Sequence, residues 1–184
     1  MESGSEALRR RVLKKNISDE DIVRCAALLH AEGIRIQTSN MFCLPGETLD
    51  DAFLTVRLNI RIRADFVFTP IFMPFPGTPL ADECIQKGYL PKDFGFRHLP
   101  QSFMTHSVLA FPDRCRLQNL QRVAYFLVRY PWLLRLAEPI LRTVTPGLLY
   151  YPFLFLGTLL RYKAERDLSI LGAVRVLWRF RKSF

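Results

Sequence analysis

The stretch from Gly33 to Thr48, GIRIQTSNMFCLPGET, constrains the fold more than any other part of the sequence. Apolar and polar residues alternate over residues 34–39, which is the period of a β-strand. The Pro-Gly pair that follows interrupts the strand, because proline has no N–H to donate and glycine accepts unusual backbone angles. Thr48 then supplies a capping signal, so a helix is expected to begin at Leu49. Since β/α units bind ligands at the carboxyl ends of their strands, residues 40–47 are predicted to border any site.

The elements around this stretch predict an α/β arrangement with parallel strands. Apolar residues over 65–72 form a near-continuous run that suits a buried parallel strand, although Pro70 within it favours an edge position. The predicted helices cover residues 6–15, 19–32, 49–63 and 80–87. Two clear strands are too few for a barrel or for a free-standing sheet. The rest of the sheet is therefore expected to be missing or to come from another chain.

Charge divides the chain near residue 110. Residues 111–184 carry thirteen Lys and Arg against four Asp and Glu, so the whole formal net charge of +9 lies there. The same segment is dense in Leu, Phe, Tyr and Trp, and its pattern is helical throughout, ending with a helix over 169–182. We therefore predict two parts, an α/β part over residues 1–110 and a basic, aromatic-rich helical extension over residues 111–184.

The cysteines and the N-terminus indicate a cytoplasmic protein. The four cysteines are separated by 18, 41 and 31 residues, which is neither a metal-binding spacing nor a compact disulfide framework. No metal site is predicted. Residues 1–20 are polar and charged, so no secretory signal is predicted, and no apolar run reaches the roughly 18 residues of a membrane span.

Four ordered segments carry a family resemblance: ESGSE, LRRRVLKKNISDEDI, NMFCLPGETLDDAFLTVRLN and FMPFPGTPLADECIQKGYL. Together they resemble the C-terminal half of a radical S-adenosylmethionine domain, in the branch that carries a cobalamin-binding domain ahead of the radical core. The resemblance covers about residues 1–90. It implies an α/β fold in which this chain holds the C-terminal portion of a partial (β/α)6 barrel, with two or three parallel strands, followed by an α-helical extension.

The resemblance also implies where S-adenosylmethionine binds. Glu2 and Ser3 would contact the ribose or methionyl part, since a carboxylate accepts two hydrogen bonds. Arg10, or its neighbour Arg9, would pair with the methionyl carboxylate. Residues 33–48 would contain the fifth strand, and FVFTPIFMP would be the sixth strand and hold the adenine edge. The cofactor-binding residues predicted in this way are Glu2, Ser3, Arg10, Asn40, Met41, Leu44 and Pro74.

Departures from the family limit what this chain does alone. The family holds a four-iron four-sulfur cluster on a CxxxCxxC loop, and no such loop occurs here. None of the three histidines lies in the DxHxxG setting of the cobalamin-binding domain, and Cys43 stands where the family usually has glycine. The resemblance thus implies a fragment of a radical enzyme, a methyltransferase or a related enzyme acting on unactivated carbon. It is expected to be inactive without a complementing N-terminal half, whether the chain is a gene fragment, a mis-called start or a split subunit.

Simpler interpretations stay open beside these predictions. The ESGSE segment is also a plausible helix cap, and Glu47 of LPGET would then only bond backbone amides. The basic extension is either a helical cap on the barrel, a surface for anionic membranes or a nucleic-acid-binding segment. The last is disfavoured because no recognised module accompanies the charge. In the membrane interpretation Leu148–Leu160 inserts, and the headgroups meet Arg142, Arg161, Lys163 and the Arg175–Lys182 cluster.

The membrane interpretation gives a competing function. The protein would then be a membrane-peripheral or partner-binding helical protein whose α/β part is a vestigial platform, attached through residues 142–184.

Overall fold

The computed structural model describes residues 1–143, 146–166 and 168–179. These residues form a mixed α/β structure that is mostly helical and contains two parallel strands. In chain order the elements are α1 (Glu6–Arg11), α2 (Asp19–Ala31), β1 (Gln37–Ser39), α3 (Leu49–Arg61), β2 (Phe66–Phe68), α4 (Pro79–Gln86), α5 (Arg114–Arg129), α6 (Leu133–Arg142), α7 (Tyr151–Glu165) and α8 (Ile170–Arg179). Short 3-10 turns lie at Phe96–His98 and Gly147–Tyr150.

The strands β1 and β2 pair in parallel through the crossover helix α3, which confirms the predicted α/β arrangement. Both strands are shorter than the sequence predicts. The Ile36 amide donates to the Asp65 carboxylate at 2.7 Å, so the ladder begins only after it. At the other end Pro70 has no N–H to continue the ladder, and a single bridge beyond it joins Phe42 to Ile71.

Side-chain caps begin the helices of this part where the sequence predicts them. Thr48 and Asp51 form a capping box at α3, and Ser18 and Asp21 form another at α2. By contrast, α1 ends at Arg11, four residues earlier than predicted. The backbone of Lys14 has φ of 55°, a left-handed conformation that an α-helix does not accommodate.

The helical extension packs on the α/β part and shares its main hydrophobic core. Helix α5 lies against α3 and β2. The shared core contains Phe42, Phe53, Val56 and Val67 from one side of residue 110 and Leu117, Leu120, Ala124, Leu127 and Leu141 from the other. The change in composition near residue 110 therefore does not divide the buried core.

The last helices lie in the segment whose pattern is helical. The uncharged stretch Leu148–Leu160 begins in a 3-10 turn and continues into α7. The final helix was predicted over residues 169–182, and it begins at Ile170. The predicted positions Arg181 and Lys182 lie outside the described residues. Within the described part of the chain, no helix combines the length and apolar character needed to cross a membrane.

Candidate functional site

The N-terminal segment lies beside β1, on the edge opposite β2. The Met41 amide donates to the Glu2 carbonyl oxygen at 2.8 Å, and the preceding amide, of Asn40, donates to the Phe68 carbonyl oxygen at 2.8 Å. Successive amides of an extended chain point to opposite sides. The Glu2 segment, β1 and β2 therefore stand next to one another in chain order, and the bond from Met41 places Glu2 at the carboxyl end of β1.

Gly4 fixes the N-terminal segment against α3. Its amide donates to Thr55 Oγ1 at 2.8 Å. A Cβ at this position would lie 2.3 Å from the Thr55 Cα and 2.5 Å from the Leu54 carbonyl oxygen, so only glycine fits so close to the helix backbone. The next residue, Ser5, caps α1 and donates its hydroxyl to Asp51 at 2.7 Å. The segment is thus held by backbone contacts as well as by a helix cap.

Three buried polar side chains form a closed hydrogen-bond network between β1 and α3. The Thr38 hydroxyl donates to Asn59 Oδ1 at 2.5 Å and accepts from Asn40 Nδ2 at 3.0 Å. Asn59 Nδ2 in turn donates to Asn40 Oδ1 at 3.2 Å. The network uses both ends of the Asn40 amide, so this predicted cofactor-binding side chain points into the interior against α3.

The turn after β1 brings a positive φ and a buried carboxylate together. Cys43 has φ of 63° and Gly46 has φ of 70°. Glu47 is buried at the start of α3 and accepts a hydrogen bond from the Leu44 amide at 3.0 Å. The predicted contact residue Leu44 is itself fully buried. Glu47 therefore braces the turn through backbone amides, as the structural interpretation of LPGET expects.

Burial sets the ionisation of both reactive groups in this turn. Desolvation raises the pKa of Glu47 to about 8, and the amides of Leu44 and Cys43 oppose that rise only in part. Desolvation, with the nearby Glu47 charge, also raises the pKa of the Cys43 thiol well above its usual range. A raised pKa and full burial make Cys43 an inert side chain rather than a nucleophile.

The predicted nucleotide contacts at the N-terminus have different surroundings. The Glu2 carboxylate is half-buried and pairs with Lys15 at 2.7 Å. Ser3 is fully buried, and its Oγ accepts from the Ser5 amide at 3.2 Å. Arg10 is exposed on α1 and pairs with Glu6 at 2.7 Å. Of these three residues, Glu2 is therefore the one that both lies beside the end of β1 and keeps part of its polar side chain accessible.

Arg9, the other arginine considered for the methionyl carboxylate, is built into the scaffold. It is buried, and its guanidinium donates to the Ser3 carbonyl oxygen at 2.9 Å and to the Ile17 carbonyl oxygen at 3.1 Å. It also pairs with Asp19 at 2.5 Å. These contacts tie the N-terminal segment to the start of α2, and they give Arg9 a structural role.

The carboxyl end of β2 completes the edge. The Phe72 amide donates to the Phe42 carbonyl oxygen at 2.7 Å, which brings the segment leading to Pro74 to the same edge as the β1 turn. Pro74 is buried in the loop that follows. On the sheet face away from α3, Gln37 and Ser39 are exposed, and Phe68 is half-buried beneath the Arg161 guanidinium.

No group of three or more His, Cys, Asp or Glu side chains in the described residues could hold a metal ion. Cys25 and Cys115 are exposed, whereas Cys43 and Cys84 are buried. No set of ligands for an iron–sulfur cluster is therefore present in the described part of the chain.

Sequence reasoning missed the polar side chains on the buried face of α3. Thr55 and Asn59 lie one turn apart on that face, and both bond to other segments of the chain. Their spacing of four residues, beside the apolar Phe53 and Val56, was the available signal, because polar residues on an apolar helix face need buried partners.

Comparison with models of known protein families and with curated proteins gives no match.

Proposed function

We propose that residues 1–110 form the nucleotide-facing wall of a radical S-adenosylmethionine barrel of the cobalamin-dependent type, which acts on unactivated carbon when a complementing half is present. One observation carries this proposal: the Glu2 segment, β1 and β2 lie side by side in chain order, with Glu2 at the carboxyl end of β1. The fourth, fifth and sixth strands of the family's barrel have that order. The four family-like segments of the sequence cover the Glu2 segment, parts of helices α1, α2 and α3, the whole of α4, and the turns that follow β1 and β2.

The backbone at Cys43 gives independent support. Its φ of 63° lies in the left-handed region, which glycine adopts without steric cost and other residues adopt rarely. The family usually has glycine at this position. The turn thus keeps the backbone conformation for which the family's glycine is suited, although the side chain has changed.

The accessible groups at the strand edge suit parts of S-adenosylmethionine. Glu2 has two carboxylate oxygens, so it can hold Lys15 with one and a ribose hydroxyl with the other. Half-buried Met41 lies next to it and offers an apolar surface for adenine. Asn40, Ser3 and Leu44 are buried and shape this edge from behind.

The reactive groups would come with the complementing half. In the family, the four-iron four-sulfur cluster cleaves S-adenosylmethionine to a 5′-deoxyadenosyl radical and cobalamin carries methyl groups. This chain would orient the nucleotide and exclude water at the carboxyl edge. Further strands of a barrel would add on the far side of the Glu2 segment, away from β1.

A ligand-observed NMR titration of the full chain with S-adenosylmethionine tests the wall. We expect saturable binding with a dissociation constant on the order of 1 mM, because half of a site buries half of a ligand. Glu2→Gln should weaken binding about threefold through the lost charged hydrogen bond. Glu32→Gln, an exposed glutamate at the far end of α2, is the matched control. Absence of saturation, or equal loss in both variants, would refute the proposal.

Reconstitution with iron and sulfide tests the need for a complementing half. The chain alone should hold no stoichiometric cluster and should leave S-adenosylmethionine intact. Near-stoichiometric iron and sulfide together with cleavage would show that the chain acts without a partner.

A further inference from the structure

We infer that the helical extension attaches this protein to an anionic lipid bilayer, through a surface formed by α6, α7 and α8. This inference is independent of the nucleotide-site proposal, since it uses other residues and another partner. The surface, which we call the tail face, consists of large apolar side chains left exposed on these helices and their connections. They are Tyr130, Trp132, Leu136, Ile140, Leu148, Leu149, Tyr151, Phe153, Phe155, Leu156, Leu171, Val174 and Trp178.

An apolar groove joins α6 and α7 into one surface. It has a volume of about 250 Å³ and is lined almost entirely by apolar atoms. Leu136 and Ile140 of α6 border it on one side and Phe153 of α7 on the other, and all three are exposed. A contiguous exposed apolar patch of this kind marks an interaction surface.

Helix α8 packs against α7 and turns an apolar stripe outward. Leu171, Val174 and Trp178 follow the spacing of one helix face, and all are exposed. Arg175 is exposed on the same face. A surface helix of a water-soluble domain turns its polar face outward and buries its apolar face. A helix that lies in a membrane interface exposes an apolar face with basic residues beside it, as α8 does.

The charges around the tail face select an anionic partner. Arg135, Lys163, Arg166 and Arg175 are exposed. Both glutamates of this region are occupied within the chain, since Glu138 pairs with Arg57 and Arg142 and Glu165 pairs with Arg161. In the described part of the extension, the exposed cations are thus not balanced by unpaired glutamates.

Two cations that the sequence assigns to headgroups have partners within the protein, Arg142 at the surface and Arg161 in a buried position. Arg142 pairs with Asp50 at 2.7 Å, and Arg161 is buried over the Phe68 ring. The headgroup contacts therefore pass to Arg135, Lys163, Arg166 and Arg175.

Helix length favours lying on the membrane. With 15 residues, α7 is roughly 22 Å long, which is shorter than a hydrocarbon core of about 30 Å. The exposed rings of Trp132, Trp178 and Tyr151 suit the boundary between headgroups and acyl chains, where such side chains concentrate. Insertion to the depth of one apolar helix face fits both observations.

Flotation of the full chain with vesicles tests the inference. Vesicles of phosphatidylcholine mixed with phosphatidylglycerol should carry the protein to the top of the gradient, and vesicles of phosphatidylcholine alone should carry far less. Binding should weaken as salt is added, because screening reduces the attraction of exposed cations. Failure to float with the anionic vesicles would overturn the inference.

Charge reversal distinguishes binding through the tail face from binding driven by the overall net charge. Lys163→Glu combined with Arg175→Glu should lower partitioning to anionic vesicles at least about tenfold. Lys92→Glu combined with Arg61→Glu changes the net charge equally on the α/β part and is the control, since both residues are exposed there. An equal loss in the two double variants would assign the binding to overall charge and overturn the inference.

Apolar substitutions test insertion. Leu148→Gln with Leu171→Gln, at positions 77% and 81% exposed, should lower partitioning about tenfold without loss of stability. Leu28→Gln with Phe96→Gln, at positions 64% and 71% exposed on the α/β part, should leave it unchanged. Light scattering without lipid gives a second readout. The protein could instead self-associate and fail to bind vesicles, with the tail variants abolishing the self-association. That result would make the tail face a contact between copies and overturn the inference.

Discussion

The Oε2 atom of Glu47 accepts a hydrogen bond from the Leu44 amide at 3.0 Å, inside the turn that joins β1 to α3. The other carboxylate oxygen, Oε1, is buried and has no hydrogen-bond partner among the described residues. Desolvation raises the pKa of Glu47 from its ordinary 4.5 to about 8. At neutral pH the side chain is therefore mostly protonated, and it braces the turn as a neutral acceptor.

This pKa shift predicts a stability that falls with rising pH. Between pH 4.5 and pH 8 the folded protein keeps a proton on Glu47 that the unfolded chain has released, so each pH unit lowers the free energy of unfolding. The slope from this one group is about 1.4 kcal/mol per unit. In urea denaturation, the stability of Glu47→Gln relative to the unmodified protein should therefore rise across this window. Parallel curves of unfolding free energy against pH for the two proteins would contradict the prediction. Glu20→Gln, at an exposed position on α2, is the control.

Gly4→Ala should destabilise the fold by about 2 kcal/mol or more, because the new methyl group would overlap the backbone of α3 at Thr55. Gly95→Ala is the matched control, since the nearest atom to a Cβ there is the Asp93 carbonyl oxygen at 4.0 Å. Urea denaturation at one pH measures both variants. If Gly4→Ala costs no more than Gly95→Ala, the N-terminal segment does not pack against α3 as described.

Local signals in the sequence predict the frame of this fold well. Thr48 and Asp51 cap α3 through contacts three residues apart, so the start of that helix can be read from the chain alone. The period of two around Thr38 and the apolar run around Val67 likewise predict two strands at the correct places. Their ends are less predictable, because Asp65 captures the Ile36 amide from a distance of 29 residues in sequence.

The candidate site depends on partners that are far apart in the sequence. Asn40 follows a strand and was predicted to face a ligand, but its side chain meets Asn59, which lies 19 residues later. Arg9 is likewise taken up by Ser3 and Asp19. Whether a polar side chain faces a ligand or the interior is decided by such long-range contacts, and a single sequence does not contain them.

Asn59→Ala should cost about 3 kcal/mol, because it leaves the Asn40 oxygen and the Thr38 hydroxyl buried without their partner. Asn16→Ala, at an exposed position, should change stability little. A double-mutant cycle with Thr38→Val separates the network from the lost packing, and we expect a coupling of about 1 kcal/mol. Additive effects of the two substitutions would show that the three side chains do not act as a network.

The left-handed backbone at Cys43 predicts a reversal of the usual order of alanine and glycine. Cys43→Gly and Cys43→Ala both remove the buried sulfur, so their difference reports on the backbone. Alanine must hold φ of 63° at a cost of about 1 kcal/mol that glycine avoids. The glycine variant should therefore be the more stable of the two.

Ala27→Gly on the exposed side of α2 is the control for this comparison, because glycine in a helix interior costs about 1 kcal/mol. Thermal unfolding of the three variants at one pH should give opposite signs at the two positions. If alanine is the better residue at position 43 as well, the turn does not hold a left-handed residue in solution. Cys43 would then give no support to the resemblance to the family's glycine, whereas the order of the Glu2 segment, β1 and β2 would be unaffected.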